Sequence, residues 1–567
     1  MSSMPAYIGG PAWPELDDAL ARRDFPAALA LAEHESSIDV AERQLIVGIC
    51  RAMFHQSEQA VAALVDSLQT FGAQRRARGA VAAVFLGRLH YFVHDSPSVA
   101  NGWFARARRL AVDEPFSIEH ALASLPLPGC DITDVTQLHA DATHALAVAR
   151  RVGDPSLEAK ALADLGTAQV SRAFVAEGMT LLDEAMAMVL SGEASSPFAS
   201  IEVVCNLLSS CARVGDLSRA DQWTRAADRH LGLGIDEGPA FLYAHCRSNL
   251  GLILCDVGRW DEAEVTLRLA SSRTVHAGPR TEGQVRAALA ELWVLQGRFN
   301  DAERLLVGRH DHQDCILPLA ALRLSRHAYP EAVAVARHGI RLMGDDRVRT
   351  AKLLAICVEA ELARGDIRQA SLDAEQLSAL TADNLLPVLR ARTELARGRV
   401  AEARGDTADA VAAYETGLSI LADNDWPLIR AELHLALARL LADADPPAAI
   451  TEAREAHLIY DGLGSPIATQ SATLLNALGV PATARPRRAD ATAALTRRES
   501  EVLGLLRDGL SNADIAARQH NSVRTIEHHV SAILSKLGLR SRAEAAAYAA
   551  SRETTPDHVT PGSEGGY

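Results

Sequence analysis

Apolar residues recur at helical spacing, three or four positions apart, from the N-terminus to about Leu478. Ala, Leu, Arg and Glu dominate this region, and no run of alternating β-branched residues indicates a strand. The chain of 567 residues is too long for one hydrophobic core. The pattern therefore predicts an all-α protein in which many short helices follow one another.

A short block recurs between successive predicted helices. A glycine ends the first helix in the left-handed conformation, an apolar residue two positions later fills the gap between the paired helices, and an alanine five positions after the glycine allows their close approach. The alanines lie mostly 38 to 43 residues apart, which predicts about eleven or twelve hairpins stacked into an α-solenoid over residues 1–480. The clearest copies are Gly258 to Ala263, Gly297 to Ala302, Gly365 to Ala370 and Gly405 to Ala410, and degenerate copies end at Ala28, Ala60, Ala100, Ala220, Ala332 and Ala449.

This block resembles the tetratricopeptide repeat, and more closely the looser repeats in the effector domains of large LuxR-type regulators of the MalT-like branch. Arrays of this kind have extended surfaces that bind peptides, partner proteins or small effectors. The resemblance therefore implies a sensing role, with an unidentified small molecule or protein as the effector. The alternative is an array that only spaces and solubilises the C-terminal region.

The C-terminal region has a different pattern. Residues 481–493 are rich in Pro, Ala and Arg without apolar periodicity, which predicts a linker. Capping boxes at Thr496 to Glu499, Ser511 to Asp514 and Ser541 to Glu544, with a further cap at Ser522, then mark four helix starts. The predicted helices are 497–508, 512–519, 523–537 and 542–550, in a domain of residues 494–551 that is followed by a disordered tail, 552–567.

The third of these predicted helices has two distinct faces. Its apolar stripe consists of Ile526, Val530, Ile533 and Leu537. At about 100° per residue, the side chains that project away from this stripe are those of Arg524, His528, Ser531 and Ser535. In a helix-turn-helix domain the outward face of such a helix enters the major groove of DNA.

Residues 495–549 closely resemble the DNA-binding domain of the LuxR family, in which the third helix is the recognition helix. The resemblance places base contacts at Glu527, His528 and Ser531, and phosphate contacts at Thr525 and His529. Arg524, Ser535 and Lys536 complete the predicted DNA-binding set. A Glu can accept a hydrogen bond from cytosine N4, and an Arg can reach guanine or a phosphate. The alternative for Arg524, Glu527 and His528 is an ordinary solvated surface position.

The resemblance also implies partners. In the family the fourth helix pairs two DNA-binding domains, so this helix, which is apolar along Ala545, Ala546 and Ala549, predicts a homodimer on double-stranded promoter DNA, with RNA polymerase as a further partner. The alternative for any one of these alanines is packing against the first helix of its own domain. Charge supports this interpretation. Residues 485–550 carry eleven basic and seven acidic residues, a net of +4, which leaves −19 on the rest of a chain of net charge −15.

Several other classes of protein lack support in the sequence. None of the three lysines follows a glycine-rich turn and precedes a hydroxyl residue, so no P-loop ATPase is predicted. The cluster His310, His312, Asp314 and Cys315 fits no standard zinc spacing. No catalytic constellation is evident. We therefore expect neither an enzyme nor a cofactor or metal site.

The expected location is the cytoplasm, in association with the nucleoid. The N-terminus lacks the features of a secretory signal, and the chain contains no uninterrupted apolar run of membrane-spanning length. The eight cysteines form no C-x-x-C pair and mostly lie within apolar helical patterns, which predicts reduced thiols that behave as small hydrophobic residues.

The leading hypothesis is a sequence-specific transcription regulator controlled through its repeat array. A sigma factor has a similar helix-turn-helix, but the fourth predicted helix and the lack of a polymerase-binding helical domain argue against it. Gln519 and Asn521 are polar where the LuxR family has apolar residues. They leave open a protein-interaction scaffold whose domain no longer binds DNA specifically.

Overall fold

The computed structural model divides the chain into two compact units, Met1–Ala482 and Thr483–Tyr567. The residues that it describes are 14–482, except 23, 35–38, 54–55, 132–133, 232–239, 273, 275–277, 310–311, 344, 383–385 and 422–425, together with 497–507, 510–519, 526, 530, 533, 544–546 and 548–549. These residues contain α-helices and no strands, which confirms the all-α prediction. None of the described helices combines the length and the apolar character needed to cross a membrane.

The first unit is a series of helices joined by short connections. Its N-terminal helices are α1 (Pro14–Ala21), α2 (Phe25–His34), α3 (Val40–Met53), α4 (Ser57–Phe71), α5 (Arg76–Phe92), α6 (Pro97–Ala111), α7 (Ile118–Ser124), a 3-10 turn (Gly129–Asp131), α8 (Val135–Val152), α9 (Pro155–Ser171), α10 (Val175–Leu190), α11 (Pro197–Val214) and α12 (Leu217–Leu231).

The series continues without a change of architecture. The remaining helices of this unit are α13 (Ala240–Asp256), α14 (Trp260–Ser272), α15 (Pro279–Leu295), α16 (Phe299–Leu306), α17 (Gln313–Ser325), α18 (Tyr329–Met343), α19 (Arg347–Ala363), α20 (Ile367–Thr381), α21 (Pro387–Arg404), α22 (Thr407–Ile420), α23 (Pro427–Leu441), α24 (Pro446–Leu463) and α25 (Ala468–Ala477). By these bounds, fifteen pairs of consecutive helices are joined by connections of two to four residues.

The turns of these hairpins follow the chemistry of the repeat block. The glycines of the four clearest copies all have positive φ, from +75° to +84°. All ten alanines that end a copy are buried. The apolar position between them varies: Trp260 is buried, Phe299 and Ile367 are half-buried, and Thr407 is exposed. In the four clearest copies glycine and alanine are therefore constant, whereas the apolar residue between them is not required.

Three hairpin turns place a residue other than glycine in the left-handed conformation. Asp95, Ala173 and His327 have φ of 48°, 74° and 60°, and each lies five positions before the residue that packs against the first helix. In the hairpin of α9 and α10 the two small residues are exchanged, with Ala173 at the turn and Gly178 at the packing position. A Cβ on Gly178 would lie 2.6 Å from the carbonyl oxygen of Gly166, so only glycine fits there.

Helices about ten positions apart in the series also meet. The Arg347 guanidinium donates to the Arg172 carbonyl oxygen over 3.5 Å. The turn at Gly215 lies so close to the indole ring of Trp426 that a Cβ on Gly215 would stand 2.0 Å from a ring carbon. These contacts join hairpins that the sequence separates widely, so the array encloses an interior instead of only stacking neighbours.

The second unit contains α26 (Arg497–Arg507) and α27 (Asn512–Gln519). α26 covers residues 497–507 of the helix predicted over 497–508, residue 508 lying outside the described residues, and α27 has the bounds predicted, 512–519. Residues 526, 530, 533, 544–546 and 548–549 are also helical. The predicted linker and tail lie outside the described residues, apart from residues 481–482, which have no helical conformation.

Candidate functional site

The core of the second unit is small and apolar. Val502 and Leu506 of α26, Ile515 of α27, and Ile526 and Ile533 are all buried in one cluster. Val530 packs against the same cluster and is half-buried. Three members of the apolar stripe predicted for the third helix therefore face the core.

The start of α27 confirms the second predicted capping box. The backbone N–H of Asp514 donates to the Ser511 hydroxyl over 3.2 Å, and the backbone N–H of Ser511 donates to the Asp514 carboxylate over 3.1 Å. The Ser511 hydroxyl also donates to that carboxylate, over 2.6 Å. These hydrogen bonds from Ser511 hold the pKa of Asp514 below its usual value. The reciprocal bonds fix the residue at which α27 begins.

The predicted fourth helix contributes to the same core. Ala545 is fully buried in the cluster, and Tyr548 and Ala549 pack against it. Ala546 is half-buried. Ala545 therefore packs within its own domain, whereas the family resemblance implied that it would face a second copy. The homodimer remains a prediction.

The predicted DNA-contacting residues have no described structure. Arg524, Thr525, Glu527, His528, His529, Ser531, Ser535 and Lys536 all lie outside the described residues. The buried positions of Ile526 and Ile533 are the nearest structural information about the segment that carries them.

The first unit contains a cavity of about 170 Å³. Most of the lining from α3, α5 and α11 is apolar, with Phe85, Leu89, Phe92, Phe198 and Ile201 among its residues, and the same helices add Arg88 and Glu202. The opposite end is polar and comes from the 3-10 turn, α13, α15 and α17. Its residues include Asp131, His245, Arg280, Gln284 and Asp314. An apolar body with a few convergent polar groups is the usual character of a small-molecule site.

The polar end is organised around His245 and Arg280. The Nδ1 of His245 lies 3.0 Å from the Gln284 side-chain oxygen, and its Nε2 lies 3.1 Å from the Ser209 hydroxyl. The Arg280 guanidinium stacks on the ring of Tyr91, 3.9 Å from the ring centroid, and one of its terminal nitrogens lies 3.4 Å from Asp131.

The pKa of Asp314 is lowered although its side chain is partly buried in the cavity wall. Burial alone would raise the pKa of its carboxyl group, but Arg349, His312 and Arg280 outweigh burial and lower that pKa. The Arg349 guanidinium lies 3.5 Å from the Asp314 carboxylate. Asp314, Asp131, His245 and Gln284 also border an adjoining cavity of about 120 Å³.

A buried ionic network beneath the cavity holds the 3-10 turn in place. Lys160 is fully buried on α9, 2.8 Å from Asp164 and in contact with Glu202. The Asp164 carboxylate accepts from the Gly129 backbone N–H over 2.8 Å and from the Asn206 amide over 2.7 Å. This network fixes the turn that carries Asp131 into the cavity wall, because buried charges must be paired and hydrogen-bonded.

Sequence reasoning missed this site. Lys160 and Asp164 stand four positions apart in an otherwise Ala- and Leu-rich helix, which is the one local signal of a buried pair. The His312, Asp314 and Cys315 cluster was considered only as a metal site. In the described residues no group of three or more such side chains could hold a metal ion. Instead, His312 accepts from the backbone N–H of Asp314 at the start of α17, and Asp314 lines the cavity.

All eight cysteines are buried and unbridged, as predicted. Burial, with a smaller contribution from Glu33, raises the pKa of Cys50 to about 12. Burial likewise raises the pKa of Cys205, which borders the cavity, to about 12. These thiols are therefore uncharged at neutral pH and act as small apolar groups.

The C-terminal segment matches a known family. The family profile described as "Bacterial regulatory proteins, luxR family" matches residues 493–549. This segment is also 44% identical over 63 residues to "Response regulator protein VraR" of Staphylococcus aureus and of Staphylococcus epidermidis. The match covers 11% of this chain and 30% of those relatives, so the chain spans about a third of the length of the curated relatives it matches. Residues 493–549 are a LuxR-family helix-turn-helix domain.

Some solved structures resemble this chain at low sequence identity. A chain of the "APC/C hetero-tetramer Cut9-Hcn1" is 13% identical, with a TM-score of 0.44, and the alignment covers 83% of this chain and 96% of that chain. "Human IFIT1 dimer with m7Gppp-AAAA" is 11% identical, with a TM-score of 0.34 and a coverage of 82% and 95% respectively.

Proposed function

We propose that this protein is a sequence-specific DNA-binding transcription regulator whose activity is controlled by an effector that binds the repeat array. The observation that carries the proposal is the LuxR-family match at residues 493–549. The buried stripe of Ile526, Val530 and Ile533 supports it, because a recognition helix must hold one face against its domain while the other reads DNA. A role at promoters implies a cytoplasmic location at the nucleoid.

The proposed DNA contacts follow from this stripe. Helical spacing from Ile526 and Ile533 predicts that Arg524, His528, Ser531 and Ser535 face the major groove. The family resemblance adds base contact by Glu527 and contact with the DNA backbone by Thr525 and His529. The basic side chain of Lys536 completes the proposed DNA-binding set. Base contacts specify sequence, and phosphate contacts set affinity and its dependence on salt.

The proposed assembly is a homodimer on two half-sites about one helical turn apart, acting with RNA polymerase. A palindromic site would reflect the two-fold symmetry of such a dimer. A mass measurement of the complex with one recovered site distinguishes one bound chain from two.

The deciding experiment is recovery of genomic fragments bound by the purified full-length protein, followed by binding measurements on an enriched site. We expect enrichment of a common short sequence. His528→Ala and Arg524→Ala should each relax sequence choice at one or two base pairs, at a cost of about 1–3 kcal/mol on the preferred site. Lys536→Ala should weaken binding to every sequence alike and reduce the salt slope by about one.

The matched control is Arg404→Ala, which removes an exposed arginine at the end of α21 and should leave DNA binding unchanged. Ile533→Ala should abolish binding by emptying a fully buried core position, at a cost of about 2–5 kcal/mol to the small domain. A wild-type protein that enriches no sequence over bulk DNA would favour the scaffold. Equal losses on all sequences for His528→Ala and Arg524→Ala would contradict the base-reading assignment.

A further inference from the structure

We propose that the 170 Å³ cavity of the repeat array binds a small amphipathic acid, with an apolar body the size of one aromatic ring and a single carboxylate head. This inference rests on the proposed function and deepens it by naming the site and the chemical class of the effector. Three features of the cavity carry it: its size, its apolar wall, and an unpartnered guanidinium nitrogen at its polar end.

The size limits the ligand to about one ring. An apolar cavity of about 150 Å³ in a protein interior accommodates benzene. A cavity of about 170 Å³ therefore admits a benzene-sized body with one small substituent, and excludes an oligosaccharide or a nucleotide unless the array opens.

The apolar wall suits an aromatic body. The rings of Phe85 and Phe198 meet edge to face, with centroids 5.6 Å apart and planes at 78°. Leu89, Phe92 and Ile201 complete the wall. Aromatic groups prefer offset or edge-to-face contacts with other rings, and these side chains offer such contacts to a planar ligand.

One buried hydrogen-bond donor at the polar end has no partner. The Nε of Arg280 is buried and has no hydrogen-bond partner, and its terminal nitrogen reaches Asp131 only at 3.4 Å. The acidic groups nearby are already paired with cations, since Glu202 lies 2.8 Å from Arg88 and Asp314 lies 3.5 Å from Arg349. A buried unpaired donor is costly, so an incoming carboxylate gains by satisfying it. Guanidinium is also the group best matched to carboxylate geometry.

The N-terminus of α15 also favours a carboxylate ligand. Gly278, with φ of +87°, precedes α15 and provides no side-chain cap for its first turn. Gly278, Arg280 and Thr281 all line the cavity. The uncapped N–H groups and the positive end of the helix dipole favour an anion at the same place as Arg280.

Ligand binding would reinforce the closure of the array. Residues of α3, α5, α11 and α15 all line the cavity, although these helices lie far apart in the sequence. Side chains already join these parts directly: Arg88 of α5 pairs with Glu202 of α11, and Arg280 of α15 stacks on the ring of Tyr91 of α5. Gly278 also lies against the Phe92 carbonyl. A ligand that bridges them stabilises the arrangement in which they meet, and so shifts the population of the array towards it.

The test is calorimetric titration of the full-length protein with three probes of one size: benzoate, benzyl alcohol and benzylamine. We expect benzoate to bind most tightly and to raise the melting temperature of the array, benzyl alcohol to bind more weakly, and benzylamine not to bind. Arg280→Gln should weaken benzoate binding tenfold or more, because the charged hydrogen bonds are lost.

Arg286→Gln is the matched control, because Arg286 lies on the same helix, pairs with Glu282 and does not line the cavity. It should leave benzoate binding unchanged. Ala52→Phe fills the apolar wall and should block both benzoate and benzyl alcohol, which keeps the test decisive if Arg280→Gln does not fold. Tighter binding of benzylamine than of benzoate would contradict the assignment of an acidic head group. Failure of all three probes to bind at millimolar concentration would contradict the assignment of the cavity as a ligand site.

The two proposals fail separately. Benzoate binding without sequence-specific DNA binding would remove the proposed function and retain the site as a ligand cavity. Sequence-specific DNA binding without benzoate binding would retain the regulator and reject this effector class.

Discussion

The fold of the C-terminal domain depends mainly on local sequence signals, whereas the fold of the repeat array depends on contacts between distant parts of the chain. The C-terminal domain has a small core of consecutive short elements, and its start signals, glycines and apolar stripe lie within about sixty residues. The repeat array extends over residues 1–482 and depends on contacts between hairpins that lie far apart in sequence. Local sequence signals therefore predict most of the C-terminal domain. For the repeat array they predict only the single hairpin.

The largest expected effect in the array comes from its buried ionic network. Lys160→Met removes the buried cation between Asp164 and Glu202, so that Asp164 keeps only neutral hydrogen-bond donors and Glu202 keeps Arg88. We expect a loss of about 3–5 kcal/mol in the free energy of unfolding of the array, measured by urea denaturation of the full chain. The transition of the C-terminal domain should not move.

Lys352→Met is the control for this prediction. Lys352 is partly exposed and lies 3.9 Å from Asp256, so its loss should cost about 1 kcal/mol or less. Equal effects of the two substitutions would show that the Lys160 network does not stabilise the array.

A smaller loss of stability is expected from a substitution that disturbs a contact between distant hairpins of the array. Gly215→Ala introduces a methyl group against Trp426 at a residue with φ of +68°, so both backbone strain and overpacking oppose it. We expect a loss of about 2–4 kcal/mol in the stability of the array, measured by thermal melting.

Gly405→Ala provides the comparison, because Gly405 has φ of +84° and no atom within 4 Å of the added carbon. The Gly405→Ala substitution should cost only the strain of an alanine in the left-handed conformation, about 1–2 kcal/mol. If both variants lose the same stability, the contact between the Gly215 turn and Trp426 contributes nothing.

The smallest effect is expected at the cap of α27. Ser511→Ala removes the hydroxyl that accepts from the Asp514 N–H, and should cost the C-terminal domain about 1 kcal/mol. Ser419→Ala, at an exposed helical serine of the array, should be close to neutral. A full-length Ser511→Ala protein that melts like wild type in the C-terminal transition would contradict the role of the cap.

The same cap predicts a dependence on pH. The pKa of Asp514 is lowered in the folded state by hydrogen bonds from Ser511, so its contribution is present above the unfolded pKa and is lost as the pH falls through the folded pKa. An NMR titration of the Asp514 carboxyl should therefore show a lowered pKa in wild type that returns towards its ordinary value in Ser511→Ala.

These contrasts explain what could be predicted from the sequence. Gly365 and Ala370 predict a hairpin because the turn residue and the packing residue lie only five positions apart. Ile526 and Ile533 predict a buried stripe because their separation corresponds to about two turns of one helix. The turn at Ala173 escaped notice because its two small residues are exchanged. The cavity could not be predicted, because Phe85, Ile201 and Arg280 meet only through the path of the whole array. The DNA-contacting residues remain a prediction from resemblance and helical spacing.

The meeting of Gly278 with the Phe92 carbonyl has a consequence for how this protein can evolve. The number of hairpins between α5 and α15 determines whether these two elements face each other. Gain or loss of a repeat unit within that interval would displace one wall of the cavity by a whole hairpin. Related proteins that keep the cavity should therefore have the same repeat count between these two helices, whatever their count beyond α24.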